Sequence, residues 1–371
     1  MIIHTSLAVS EPYFAFPADN TLTSVLCPAA TAAPILGPAS LSRVHLRESY
    51  HVLDHLGSGC HGDTYVACSK LKTVYLINKH GLGTDAFYNA LRENLVVAKF
   101  AKDNDSCRDA FKDEIKIMTQ TMPASHPNVI RCLDFHADDK INWLVLPLCT
   151  EGSLNQFQRD HDYSVAFIWH CGLQVAKSIL FLHFGIRSTA DMTPVKGWPS
   201  ISHNDIFLGN VFVQGIGPYH LPNIVLTDFG AAEQLAGDKT SRVARAQHLQ
   251  GRIDDFRAIG DIMAVLLEEF EERQSEELDR CTEWVYRFAS FDVVGDESAY
   301  QTAALTFLSS FVRAAEYELA QSYGNAPVQP ADEIGVANTS NEALDYALGL
   351  CACGATLPQK EPSLIMRLWK K

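Results

Sequence analysis

The chain has 371 residues, 47% of them hydrophobic and 20% charged, with 22 Gly and 16 Pro. That composition excludes a disordered or fibrous polymer and allows one large domain or two ordinary ones. Thirty Lys and Arg against 44 Asp and Glu leave a net charge of −14, a field that repels nucleic acid and anionic membranes, so neither is an expected partner.

Residues 1–48 carry no Lys or Arg before Arg43 and include an Ala/Pro-rich run, which reads as an N-terminal arm, loosely docked or flexible. Met1 to Val9 is apolar without the basic start of a secretory signal. The apolar run from Val25 to Ala39 is broken by Pro28, Pro34 and Gly37 and is too short to span a bilayer. From Tyr50 the texture changes. Partly alternating apolar segments at Tyr50–Leu56, Thr64–Cys68, Leu95–Phe100, Arg131–Phe135 and Trp143–Leu148 predict strands, with one helix over Ala110–Met118 among them. Lys70–Glu93, Arg187–Pro199 and Gly215–Pro222 have neither periodicity and read as surface insertions.

After Ser153 the pattern turns helical. Val165, Ile168, Trp169, Leu173, Ala176, Ile179, Leu180 and His183 fall on one stripe, and Phe256, Ile259, Ile262, Met263, Leu266, Leu267 and Phe270 on another. A strand-rich half followed by a helix-rich half predicts an α+β protein with two lobes. Ala326–Ser340 resembles a linker, and Glu342–Cys351 a short helix before a basic end, so 326–371 is set apart as a C-terminal extension. The ten cysteines include no CxxC pair and read as reduced, mostly buried thiols of a soluble cytoplasmic protein, with disulfide pairing left open.

Several segments can carry chemistry. Gly57-Ser-Gly-Cys-His-Gly62 joins two predicted strands, a hairpin whose bare backbone can approach phosphate oxygens. Val96-Val-Ala-Lys99 ends an apolar strand on a lysine. Fifteen residues on, Glu114 lies beside the buried stripe Phe111, Ile115 and Met118, where a carboxylate can hold an incoming ammonium toward a phosphate; exposed surface pairing is the plainer alternative. His203-Asn-Asp-Ile-Phe-Leu-Gly-Asn210 sets a carboxylate and a carboxamide five apart. Leu226-Thr-Asp-Phe-Gly230 then places another carboxylate directly after an apolar strand. Oxygen ligands of this kind suit Mg²⁺, which completes its octahedron with water and phosphate, and they leave Asp205 free to accept a proton.

In this order the segments resemble the signature set of the eukaryotic protein kinases. His126-Pro-Asn-Val-Ile130 looks like that family's entry to its fourth strand, Leu144 to Leu154 like its hinge, and Asp255-Phe-Arg-Ala-Ile-Gly260 like the opening of its long central helix. The resemblance covers roughly residues 50 to 320. It implies a bilobal kinase-like domain over 49–325, divided into an N-lobe of 49–148 and a C-lobe of 149–325. It also implies an ATP- and Mg²⁺-dependent phosphotransferase acting on a protein hydroxyl, Ser/Thr ahead of Tyr. Carried over by residue, Gly57, Gly59 and Gly62 would cover the ATP phosphates. Lys99 would bind them, oriented by Glu114. Asp228 and Asn210 would hold Mg²⁺, and Asp205 would take the acceptor's proton. Leu146 would be the gatekeeper, while the Pro147 carbonyl and the Cys149 N–H would meet adenine. Met118, Phe135, His203 and Phe229 would stack as a buried spine anchored on Asp255.

The sequence also departs from that family. Asn204 replaces the arginine before the catalytic aspartate, which argues against switching by phosphorylation at Thr240 or Ser241. Phe207 stands where Ser/Thr kinases carry a lysine. No Ala-Pro-Glu follows Gly230, and the stretch to Asp255 is short. The form of the catalytic loop also resembles choline and aminoglycoside kinases. Two alternatives therefore stand beside the active protein kinase: a pseudokinase that binds ATP as a scaffold, and a small-molecule kinase on the same fold. Two further features have plain readings, the acidic run Asp261–Asp279 as a solvated helix face and Cys60 and Cys149 as packing residues.

Overall fold

Five antiparallel strands make the first layer in the order β1-β2-β3-β5-β4: β1 (Tyr50–Ser58), β2 (Gly62–Ser69), β3 (Leu95–Ala101), β4 (Asp134–Ala137) and β5 (Asn142–Pro147). The computed structural model describes residues 45–59, 62–122, 124–216, 221–235, 241–270 and 275–323. Most of the expected arm, Cys60, Thr240 and the expected linker and helix of the C-terminal extension lie outside the described residues.

β5 is apolar on both faces because both are covered. Trp143 and Val145 pack with Ala67, Ala98 and Phe100 on one side, while Leu144 and Leu146 join Phe111 and Ile115 on the other. Lys99 pairs in register with Leu144, so its side chain leaves the sheet on the helix-covered face. The covering helix is α3 (Asp105–Lys116), capped by Asn104, whose side chain accepts from the Cys107 N–H at 2.8 Å. It runs on as a π-helical turn over Ile117–Thr121.

The insertion between β2 and β3 is helical, contrary to the patternless loop expected for Lys70–Glu93. α1 (Lys70–His80) starts on the Ser69 cap and stops at Gly81 at φ 78°; α2 (Asp85–Arg92) starts on Thr84, which accepts from the Phe87 N–H at 3.1 Å. Leu76, Phe87, Tyr88 and Leu91 pack with Val66, Cys68, Leu95 and Leu148 in a small core of their own. Periodicity missed α1 because Leu71, Val74 and Tyr75 point outward, giving that helix apolar residues on both faces. The fourth strand also starts later than expected, at Asp134, because the residues ahead of it serve the other lobe. Leu226 N–H donates to the Asn128 carbonyl at 2.8 Å, and Ile130 N–H to that of Leu226 at 2.9 Å.

The second lobe is built on α5 (Val165–Phe184), which follows α4 (Leu154–Asp160). Every residue of α5 except Lys177 is buried, so the single stripe read from sequence understates it. It is the one helix among the described residues long and apolar enough to cross a membrane, and its place is inside the core. Strands β6 (Ile201–Ser202), β7 (Val211–Ile216), β8 (Pro222–Leu226) and β9 (Glu233–Gln234) carry the loops of the cleft. The lobe closes with α6 (Arg242–Leu267), α7 (Glu276–Ala289) and α8 (Glu297–Tyr323). α6 begins thirteen residues ahead of Asp255, so Asp255 sits in mid-helix and not at its opening. Ser241 is its N-cap, accepting from the Ala244 N–H at 3.1 Å. In the acidic run, Glu276, Glu277 and Asp279 fill the first turn of α7, where the helix dipole favours them.

α6 and α7 cross at Gly260. A Cβ there would lie 2.6 Å from Phe288 Cβ and 3.2 Å from the Val285 carbonyl oxygen. Gly260→Ala is therefore expected to cost about 1–3 kcal/mol by overpacking, read as a lowered thermal midpoint. An unchanged midpoint would show that the two helices can separate freely.

Candidate active site

Lys99 leaves β3 into the cleft between the lobes and meets two carboxylates. Its Nζ donates to Glu114 Oε1 at 2.8 Å and Oε2 at 2.9 Å, and to Asp228 Oδ1 at 2.8 Å. Burial works against the ammonium, but Glu114 and Asp228 outweigh it and hold the Lys99 pKa above its usual value. Burial likewise opposes ionisation of Asp228, and Lys99 reverses that, so its carboxyl lies below the usual range. The side chains of Lys99 and Glu114 keep only 10% and 1% of their surface, whereas Asp228 keeps 45%. The pair is a buried anchor and Asp228 is its working end.

Asp228 holds a left-handed backbone at φ 60°, a conformation that aspartate tolerates better than most residues. Directly after it, Phe229 turns inward and is buried, meeting His203 edge-on at 4.9 Å between ring centroids. His203 Nε2 bonds the Thr227 carbonyl at 2.9 Å. Met118 belongs to the same core, but Phe135 does not: its ring is 44% exposed. Cys132, three residues earlier, is the partly buried side chain that lines a cavity of about 250 Å³ with Met118. The expected spine is thus corrected at that position: Phe135 pairs with Leu144 and shares its face, but β4 is the edge strand and leaves the ring largely uncovered.

The loop that carries Asp205 hangs from α6. Asp255 accepts from the backbone N–H groups of His203 at 2.6 Å and Asn204 at 2.7 Å. Its Oδ2 also lies 3.1 Å from His183 Nε2, and the other nitrogen of that ring bonds the Tyr300 hydroxyl at 2.8 Å. Arg252 packs over the Tyr300 ring at 4.2 Å and pairs with Glu297. Burial pushes the Asp255 carboxyl up to about 6, against the two backbone donors and His203. None of His183, Tyr300 and Arg252 was singled out in the sequence for this role; a His in the last turn of an apolar helix was the available signal.

Asn204 also has a left-handed backbone, at φ 63°. Its side-chain amide donates to the Ala231 carbonyl at 3.0 Å. Where the resembling family uses arginine and a phosphate to tie this loop to the segment after Asp-Phe-Gly, this chain uses one neutral hydrogen bond, reinforced by pairing of β6 with β9. Asp205 is exposed at the cleft mouth, where Asn210 Nδ2 donates to its Oδ2 at 2.8 Å and its carbonyl at 2.9 Å. The neighbouring Phe207 lies over Gly209, whose Cβ, if present, would be 2.3 Å from the ring.

Between these groups lies a cleft of about 400 Å³, within the usual range for a small-molecule site. Gly57, Gly59 and Gly62 form its lid, and the Gly59 N–H donates to the Gly62 carbonyl at 2.8 Å. Gly62 is also required by the sheet, since a Cβ would stand 2.5 Å from the Phe100 carbonyl oxygen. Leu146, Pro147 and Cys149 edge the cleft, and burial drives the Cys149 thiol up to about 12, which fits a packing residue. Val97 and Phe212 line it too and were not foreseen, although Phe212 is marked by lying between the core residues Val211 and Val213. Asp228 and Asn210 are its oxygen-bearing pair. Among the described residues no group of three or more His, Cys, Asp or Glu is placed to hold a metal ion; a hard cation with few protein ligands completes its shell from water and substrate. A larger open groove of about 760 Å³ between α7 and α8 has no such chemistry. Its Thr302, Thr306 and Ser310 hydroxyls bond carbonyls of their own helix.

A strand-built lobe, a lysine paired across it with a helical glutamate, and a helical lobe carrying the segments of Asp205 and Asp228 define a bilobal protein kinase-like fold. Residues 83–251 match the family model of the protein kinase domain, which supports a protein kinase-like family for this chain. It is similar to the human serine/threonine-protein kinase Nek10, 25% identical over 193 residues, covering 50% of this chain and 14% of that one. It is also similar to the calcium/calmodulin-dependent protein kinase type II of Schizosaccharomyces pombe, 24% over 210 residues, 52% and 38%. The serine/threonine-protein kinase PLK4 of Xenopus tropicalis aligns at 25% over 191 residues, 51% and 16%. The chain spans well under half the length of these curated relatives.

The buried histidines make the fold acid-sensitive. Burial lowers His183, His203 and His248, and takes His126 and His170 to about 4. These rings stay neutral when folded but gain protons below about 6.5 once unfolded, so their contribution is full above that pH and is lost as pH falls toward 4. Asp255, raised to about 6, runs the other way between its unfolded value and 6, one group against five. The thermal midpoint is expected to fall by several degrees between pH 7 and pH 5; a flat or rising profile would contradict the burial of these rings as neutral species.

Proposed function

We propose that the chain is an ATP- and Mg²⁺-dependent protein kinase that transfers the γ-phosphate to a Ser or Thr hydroxyl of a cytoplasmic protein. The observation that carries this reading is the Lys99 ammonium paired at once with Glu114 and Asp228. That arrangement aligns the cation between the lobes. Support also comes from the fit of the cleft: a glycine lid, a hinge of the right register and an oxygen pair across from the lysine.

In this reading Lys99 binds the α/β-phosphates and the lid amides meet their outer oxygens. Asp228 and Asn210 would hold Mg²⁺, which supplies neutralisation of the charge on the phosphates when bound. Asp205, fixed by the Asn210 amide, orients the acceptor hydroxyl and takes its proton as that oxygen bonds to the γ-phosphorus and the bond to ADP breaks. The Asn204 bond to Ala231 holds the loop in this arrangement without a phosphate on the segment.

Radiolabelled γ-phosphate transfer from ATP tests the reading, with the protein itself, a mixed protein pool, and choline or an aminoglycoside as acceptors. Transfer to protein is expected, and Asp205→Asn should lower it by about 10²–10⁴-fold, the range for a positioned general base. Wild-type transfer no faster than that variant would overturn an active kinase, and transfer only to the small molecules would overturn a protein acceptor. Asp228→Asn is expected to abolish Mg²⁺-dependent thermal stabilisation by ATP. Lys99→Met should keep part of that stabilisation while losing transfer. Retained Mg²⁺ dependence in Asp228→Asn would remove the metal assignment.

A further inference from the structure

The inserted helix α1 presents an apolar face that nothing in the described structure covers. Leu71 is 82% exposed, Tyr75 52% and Val74 50%, and Leu82 in the turn that follows is 52% exposed. At spacings of three and four residues the first three share one face of the helix. The same face is basic. Lys70 lies one turn before Val74, Lys79 one turn after Tyr75, and Lys72 reaches over the Tyr75 ring at 5.2 Å. α1 ends on His80 and contains no carboxylate, within a chain whose net charge is −14. α2 beside it is nearly balanced, with Asp85 against Arg92 before Glu93.

Exposed apolar residues at this density mark contact surfaces more often than scattered single ones do. The charge decides what fits. From Leu71 to Lys79 the face runs about 12 Å at 1.5 Å per residue, enough for two turns of a partner helix laid along it with apolar anchors flanked by acids. The opposite side of α1 packs through Leu76 with Leu148, which edges the nucleotide-sized cleft. We infer that α1 is a docking surface for an acidic amphipathic helix of a partner protein, with Leu71, Val74 and Tyr75 taking its apolar side and Lys70 and Lys79 its carboxylates.

The full chain is titrated into a fluorescein-labelled 18-residue helical peptide of Leu and Glu, and into its Lys-for-Glu counterpart, with anisotropy as the readout. Saturable binding of the acidic peptide alone is expected, weakened by salt. Leu71→Asp with Tyr75→Asp, and separately Lys70→Glu with Lys79→Glu, should each weaken it at least tenfold. Leu71, Tyr75 and Lys79 are exposed and Lys70 is half-buried at the helix start, so the thermal midpoint should not move. No binding, equal binding of both peptides, or variants that bind as the wild type does would overturn the proposal. So would two competing results, each abolished by the same variants: a dimer in sedimentation velocity, which makes a second copy the occupant, or retention on phosphatidylserine vesicles, which makes it a lipid surface.

Discussion

An ammonium taken out of water must be paired, and the pairing of Lys99 is the constraint on which the rest of the site depends. Burial alone would favour its neutral form. The carboxylates of Glu114 and Asp228 reverse that, and in doing so they tie three separate elements to one point: the sheet through Lys99, α3 through Glu114 and the end of β8 through Asp228. The lobes share one apolar core, which holds Phe111, Ile115 and Met118 together with Phe229, and the Lys99 contact adds the polar tie between β3, α3 and Asp228. Loss of either acid would leave a buried charge short of a partner, which costs far more than loss of a surface pair.

The helical lobe has a counterpart in Asp255. A carboxylate in mid-helix receives the N–H groups of two successive loop residues, and His183, Tyr300 and Arg252 brace it from α5, α8 and α6. The loop that carries Asp205 is thereby suspended from the most buried part of the molecule. Asn204 then closes the arrangement onto Ala231. The loop is thereby tied to the segment after Asp228 by one hydrogen bond between neutral groups.

Much of the site was legible because its chemistry is local. Lys99, Glu114, Asp205, Asn210 and Asp228 each sit in a short segment whose neighbours reveal strand, helix or turn; four of them line one cleft, and Asp205 is tied to it through the Asn210 amide. Phe135 misled because its exposure comes from the place of β4 at the edge of the sheet, and strand order is not written in the alternation of residues along one strand. α1 misled for a related reason: apolar residues on both its faces erase the periodicity that marks a helix, although Ser69, Gly81 and Thr84 punctuate its ends and the start of the next.

The sequence by itself determined the α+β order, the five polar residues of the site and the absence of the arginine before Asp205. All of these are properties of residue type and spacing along the chain. Only the tertiary structure decided that Asn204 reaches Ala231, that Cys132 and not Phe135 stands beside Met118, that α6 starts ahead of Asp255, and that Leu71, Val74 and Tyr75 face outward on a basic helix. Those facts depend on which surfaces meet across long separations in the chain, and burial is settled by the neighbours a residue acquires on folding, which spacing along the chain does not encode.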